Sequence, residues 1–149
     1  LESMRDHLIQ KKMMNCKLAT DFDKPRRMPD EPIESYNLRK SEYWVTHADV
    51  FFFVFFDGTD NSSVAIELKT TLSQIPESAW RTILAYQENV PSLVAGLGRR
   101  YSPEISMIPF SNDVDLKRQA VGNIVRLLGR FYFTVYNRPI GEWEYSSVI

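Results

Sequence analysis

Seven consecutive residues, Val50–Phe56 (VFFFVFF), constrain this chain more than any other stretch of it. Five phenylalanines and two valines in a row favour an extended strand. A half-solvated strand alternates apolar and polar residues, and this run has no polar face at all. It therefore predicts a central strand covered on both sides. At 149 residues the chain is one ordinary domain with room for a real core. Its first residue, Leu1, is not Met, so we expect a piece of a longer protein.

Around that run the punctuation is polar. Asp49 opens it, and Asp57–Ser63 (DGTDNSS) supplies the Gly, Asn and Asp of a reversal. Val64–Thr70 (VAIELKT) then alternates, with Val64, Ile66 and Leu68 on one side and Ala65, Glu67 and Lys69 on the other. This reads as the return strand of an antiparallel hairpin, with Asp49 and Glu67 near the end away from the turn. Asp57 and Asp60 read as ordinary turn residues.

The remaining elements are simpler. Met4, Leu8, Ile9 and Met13 have helical spacing, and the prolines Pro25, Pro29 and Pro32 make Asp21–Pro32 a loop. Ser41–Thr46 reads as a short strand. Pro76 suits the first turn of a helix carrying Ala79, Trp80, Ile83, Leu84 and Gln87, which Pro91 ends. Glu104–Phe110 reads as a further strand. Asn112 or Asp113 caps a last helix whose apolar face runs from Val114 through Ala120, Ile124 and Leu128 to Val135.

Composition excludes several function classes. A net charge of −1 argues against a protein that coats nucleic acid through a basic surface. The single cysteine, Cys16, allows no internal disulfide and no Cys-based zinc site, which suits an intracellular setting. No apolar run is long enough to span a bilayer, so no membrane partner is expected.

Asp49 followed by Glu67-Leu68-Lys69 resembles the PD-(D/E)XK nuclease superfamily, the restriction-endonuclease-like enzymes. The resemblance implies an α/β fold with an αβββαβ core, a central mixed sheet flanked by helices. It implies a nuclease that hydrolyses phosphodiester bonds in DNA or RNA with Mg2+ or Mn2+. Asp49, Glu67 and the backbone carbonyl of Leu68 would hold the metal, and Lys69 would orient the attacking water. Asp6 and Glu2 on the first helix, His47 beside Asp49, and Gln87 on the later helix are auxiliary candidates. Ala48 stands where the family often has proline, and the Gln-x-x-x-Tyr signature of the RecB-like branch is absent. Two other readings stand beside it: a nuclease fold without cleavage that serves as a binding module, and Glu67 with Lys69 as a solvent-facing pair on an amphipathic strand. Trp143 and Tyr145 suggest contact with the remainder of a larger protein.

Overall fold

A computed structural model describes residues 1–11, 16–18, 21, 24–45, 47–74, 76–90, 96, 100 and 104–136. In chain order the elements are α1 (Glu2–Gln10), α2 (Ile33–Val45), β1 (Phe51–Phe55), α3 (Ser62–Gln74), a 3₁₀ helix (Pro76–Arg81), β2 (Thr82–Gln87), β3 (Ser106–Phe110) and α4 (Asp113–Tyr136). The fold is α/β, and among the described residues its sheet has three strands in the order β1-β2-β3. Both pairings are parallel, with Phe51 opposite Thr82 and Ile83 opposite Ser106.

The phenylalanine run forms β1 and is covered on both faces, as its composition demands. Phe53 and Phe55 pack with Leu84, Leu68 and Leu72 on one face. Val54 joins Ile83, Ala85 and Ile108 on the other, against Met4 and Leu8 of α1 and Leu116, Ala120, Ile124 and Leu127 of α4. Three layers result: α3 on one side of the sheet, with α2 packed on α3, and α1 with α4 on the other. One expectation fails here. Among the described residues β1 lies at the edge of the sheet rather than in its middle.

The hairpin is the larger correction. Val64–Thr70 is not a return strand but the body of α3, and among the described residues the sheet is parallel rather than mixed. Parallel neighbours need a crossover connection, usually helical, and α3 supplies it between β1 and β2. Local chemistry agrees. The Asp60 carboxylate accepts the Ser62 N–H (2.9 Å), and the Asn61 carbonyl accepts the Ala65 N–H (3.0 Å), so the first turn is capped. Val64, Ala65, Leu68 and Leu72 then form a helical stripe against the sheet, while Ile66 stays 62% exposed.

Two further segments differ from expectation. Residues 41–45 belong to α2 instead of a strand. The helix foreseen after Pro76 lasts only through the 3₁₀ turn, and Ile83, Leu84 and Gln87 lie in β2. Thr82 donates its hydroxyl to the Ser78 carbonyl (2.8 Å), closing the 3₁₀ helix onto the strand. The observed order therefore departs from αβββαβ. The third strand, the last helix and the 21–32 connection fall where the sequence puts them, as far as they are described, but Val114, expected on the apolar face of that helix, is 77% exposed and Leu116 is buried instead. That connection is tied to α2 through Glu31, whose carboxylate accepts two bonds from Arg39 (2.9 and 2.7 Å) and one from the Met28 N–H (3.0 Å). Trp143, Tyr145 and Met13 lie outside the described residues.

Candidate functional site

The residues singled out by the sequence are distributed over the molecule. Asp49 precedes β1 at the amino end of the sheet. Burial raises its pKa, while the Arg81 guanidinium and the Tyr132 hydroxyl pull it back. Arg81 is itself fixed there: it donates to the Ala48 carbonyl (2.9 Å) and lies over the rings of Phe51 (5.4 Å) and Phe131 (5.1 Å). Glu67 is in the second turn of α3, half-buried, with its pKa raised by burial alone. The two acids lie on different elements, Asp49 on the segment leading into β1 and Glu67 within the α3 crossover.

The other members of the expected set are also separated. Two positions along a helix turn the side chain by about 200°, so Lys69 points away from Glu67; it is exposed. Leu68 is fully buried against the sheet, inside α3, where its carbonyl belongs to the helix ladder. Asp6 is exposed and paired with Arg5 (2.9 Å). The His47 ring is exposed, stacked on Tyr43 at 4.4 Å, with Nδ1 2.6 Å from the Tyr43 carbonyl oxygen. Among the described residues no three His, Cys, Asp or Glu side chains group as a metal site would require. The Leu68 carbonyl, committed to the α3 ladder, is not free to join Asp49 and Glu67 around a cation.

Gln87 has a different part. As the last residue of β2 it reaches the carboxyl end of the sheet, where its Oε1 accepts the Asp57 N–H at 2.6 Å. A cleft of about 170 Å³ opens there, lined by Asp57 after β1, Gln87, Glu88 and Asn89 at the end of β2, and Phe110 and Ser111 at the end of β3. All three strands thus contribute to one depression. Its walls are held by the chain's own polar groups. Asn61 donates to the carbonyls of Phe56 (2.9 Å) and Thr59 (3.2 Å) and accepts the Phe56 N–H (3.2 Å). Gly58 takes the left-handed conformation, φ +68°, that only a residue without Cβ adopts cheaply. Val90 donates its N–H to the Gln87 carbonyl (2.9 Å), closing the turn after β2. On the third side the Ser111 N–H donates to Asp115 (3.2 Å) and the Asp115 N–H to Asn112 (2.9 Å), a reciprocal cap for α4.

Electrostatically the rim is acidic. Asp60 is held below the usual carboxylate range by its bonds from Ser62, and Asp115 by Arg118, the Ser111 N–H and Gln119. Two cations at the start of α4 are engaged, Lys117 with Asp113 (2.8 Å) and Arg118 with Asp115 (2.7 Å).

Of the cleft residues only Gln87 stood among the candidates, and for another reason. Asp57 read as a turn residue, and Glu88, Asn89, Phe110 and Ser111 were not singled out. A usable signal existed. Two apolar runs, Phe51–Phe56 and Thr82–Tyr86, flank a segment long enough for a helix, and each is followed at once by polar residues. That is the pattern of a βαβ unit with a site at its carboxyl edge.

No family model, no curated protein and no solved structure matches this chain. The class is set by fold and site together: an α/β domain with a parallel sheet, helices on both faces, and a polar crevice at the carboxyl ends of its strands.

Proposed function

We propose that this domain binds a small polar molecule in the cleft between the ends of β1, β2 and β3. One observation carries the reading: residues at or just beyond the carboxyl ends of all three parallel strands line it. Open parallel sheets present ligands with a crevice at that edge, because the loops diverge there while the strands fix their bases. The cleft is smaller than the 300–1,000 Å³ or so of drug-sized sites. It suits a compact molecule or one moiety of a larger one.

A thermal-shift screen of small metabolites tests this with wild type and Asn89→Trp, which places an indole in the cleft. A ligand at 100 times its Kd adds about 2.7 kcal/mol of stability. Compounds bound in the cleft stabilise the wild type and lose that effect in Asn89→Trp. If every stabilising compound acts equally on both proteins, the cleft is not the site.

A second reading is the one the sequence resemblance implies, a magnesium- or manganese-dependent nuclease acting on DNA or RNA through Asp49, Glu67 and Lys69. It is favoured by the burial of two carboxyls, Asp49 and Glu67, above their ordinary pKa, a common property of functional acids. Lys69, turned away from Glu67 on α3, weighs against it. Manganese-dependent cleavage that Glu67→Ala abolishes would support this reading. An inert wild type on DNA and RNA with manganese removes it. As for membranes, no helix among the described residues is long and apolar enough to cross one.

A further inference from the structure

We infer that the cleft selects a neutral, hydroxyl-rich ligand and rejects the phosphorylated form of the same ligand. The inference rests on the cleft being the binding site, as proposed above. Helix N-termini beside a parallel sheet commonly receive phosphate, because their free N–H groups and positive dipole end face the ligand. Both described helices that begin at this edge commit one first-turn N–H to the chain's own side chains. Asp60 takes the Ser62 N–H and hydroxyl at the head of α3. Asn112 takes the Asp115 N–H at the head of α4, and Asp115 takes the Ser111 N–H that leads into it. A carboxylate therefore already stands at each helix start.

The cleft adds further negative charge through Asp57 and Glu88. Its basic neighbours, Lys117 and Arg118, are held in ion pairs with Asp113 and Asp115. Among the described residues that line the cleft, a phosphate would meet like charge with no lysine or arginine to offset it.

The lining mixes two kinds of hydrogen-bonding group. Asp57 and Glu88 offer only acceptors when ionised, whereas the amides of Gln87 and Asn89 also carry donors. The Gln87 amide is oriented by the bond its Oε1 accepts from Asp57, which leaves its NH2 group as the donor end. Hydroxyl groups both donate and accept, so vicinal hydroxyls match carboxylate and amide together. An ammonium ligand carries donors alone and would leave the amide donors unmatched.

The test is an NMR titration of the ¹⁵N-labelled chain with D-ribose, D-ribose 5-phosphate and putrescine as probes. Ribose is expected to move the amide signals of Asp57, Asn89 and Ser111 saturably. The 5-phosphate should bind about tenfold more weakly or worse, from repulsion by nearby carboxylates. In Asp57→Asn/Glu88→Gln that preference should shrink. Tighter binding of the phosphate ester or of putrescine than of ribose at those amides overturns the inference and leaves the cleft as a site. If no probe moves them, the cleft reading falls and the inference with it.

Discussion

Alanine at Leu68 and, separately, at Ile66 distinguishes a helix from a strand where the two geometries disagree about which side chain is inside. On a strand, residues 66 and 68 share a face and should respond alike. In α3, Leu68 is fully buried among Phe55, Leu72 and Leu84, while Ile66 is 62% exposed. Truncating a fully buried leucine costs about 3–5 kcal/mol, the transfer of its methyl groups plus the cavity left behind. Truncating Ile66 removes little buried area, and alanine is the better helix former by a few tenths of a kcal/mol, so the net change stays within about 0.5 kcal/mol. For a chain of this size each kcal/mol moves Tm by about 3–4 °C, which gives a drop of about 10 °C or more for Leu68→Ala and about 2 °C at most for Ile66→Ala. Urea unfolding followed by far-UV circular dichroism supplies the free energies. Comparable losses in the two variants would refute the helix, and with it the parallel crossover that sets the cleft.

Other expectations concern protons and the cleft wall. Arg39 holds the Glu31 carboxyl down to about 2 from an ordinary 4.5, so its stabilisation is complete above pH 4.5 and is lost as pH falls toward 2. Acid titration of Glu31→Gln should lack that loss, and a curve unchanged from wild type would contradict the assignment. Glu67 has the opposite sign: burial raises its pKa, so its favourable effect is full below the ordinary carboxylate range and disappears as pH rises through the folded value. Glu67→Gln should therefore be more stable than wild type at pH 7 and indistinguishable from it in acid; equal stability at both would count against a desolvated carboxyl. Gln87→Ala unties the Asp57 N–H at a global cost of about 1 kcal/mol, and hydrogen exchange at Asp57 should accelerate well beyond the rest of the sheet. Unchanged exchange there would show that Gln87 does not hold the wall.

How much of this was legible follows from what each segment repeats. Ala120, Ile124, Leu128 and Val135 recur at helical intervals within a 24-residue segment, too long for a strand, so α4 was readable, although Leu116 and Leu127 complete its buried face. The run Val50–Phe56 could be little but a doubly covered strand. Val64-Ala65-Ile66-Glu67-Leu68 satisfies both periods over five residues. Only its continuation through Leu72, together with the Asp60 and Asn61 caps, decides for the helix. Thr82–Gln87 failed in the reverse direction, because Ala79, Ile83 and Leu84 mimic a helical stripe that the 3₁₀ turn breaks. The expected Asp49–Glu67–Lys69 site depended on a strand at residues 64–70 and separates without it. The cleft was invisible for a related reason: no two of its three contributing loops are close in sequence, and only the parallel pairing brings them together.

The pairing of Phe51 with Thr82 also has a consequence during synthesis. A hairpin would have given the phenylalanine run its partner within a few residues. Instead the partner follows 82 − 51 = 31 positions later, a wait of about 2–6 s at ordinary elongation rates. For that interval an apolar segment of high β-propensity has no strand to pair with, the condition in which chains aggregate. Asp49 and Asp57 flank the run on either side. Charges in such positions discourage association between nascent chains, so these two acids guard the strand before it has a sheet to join.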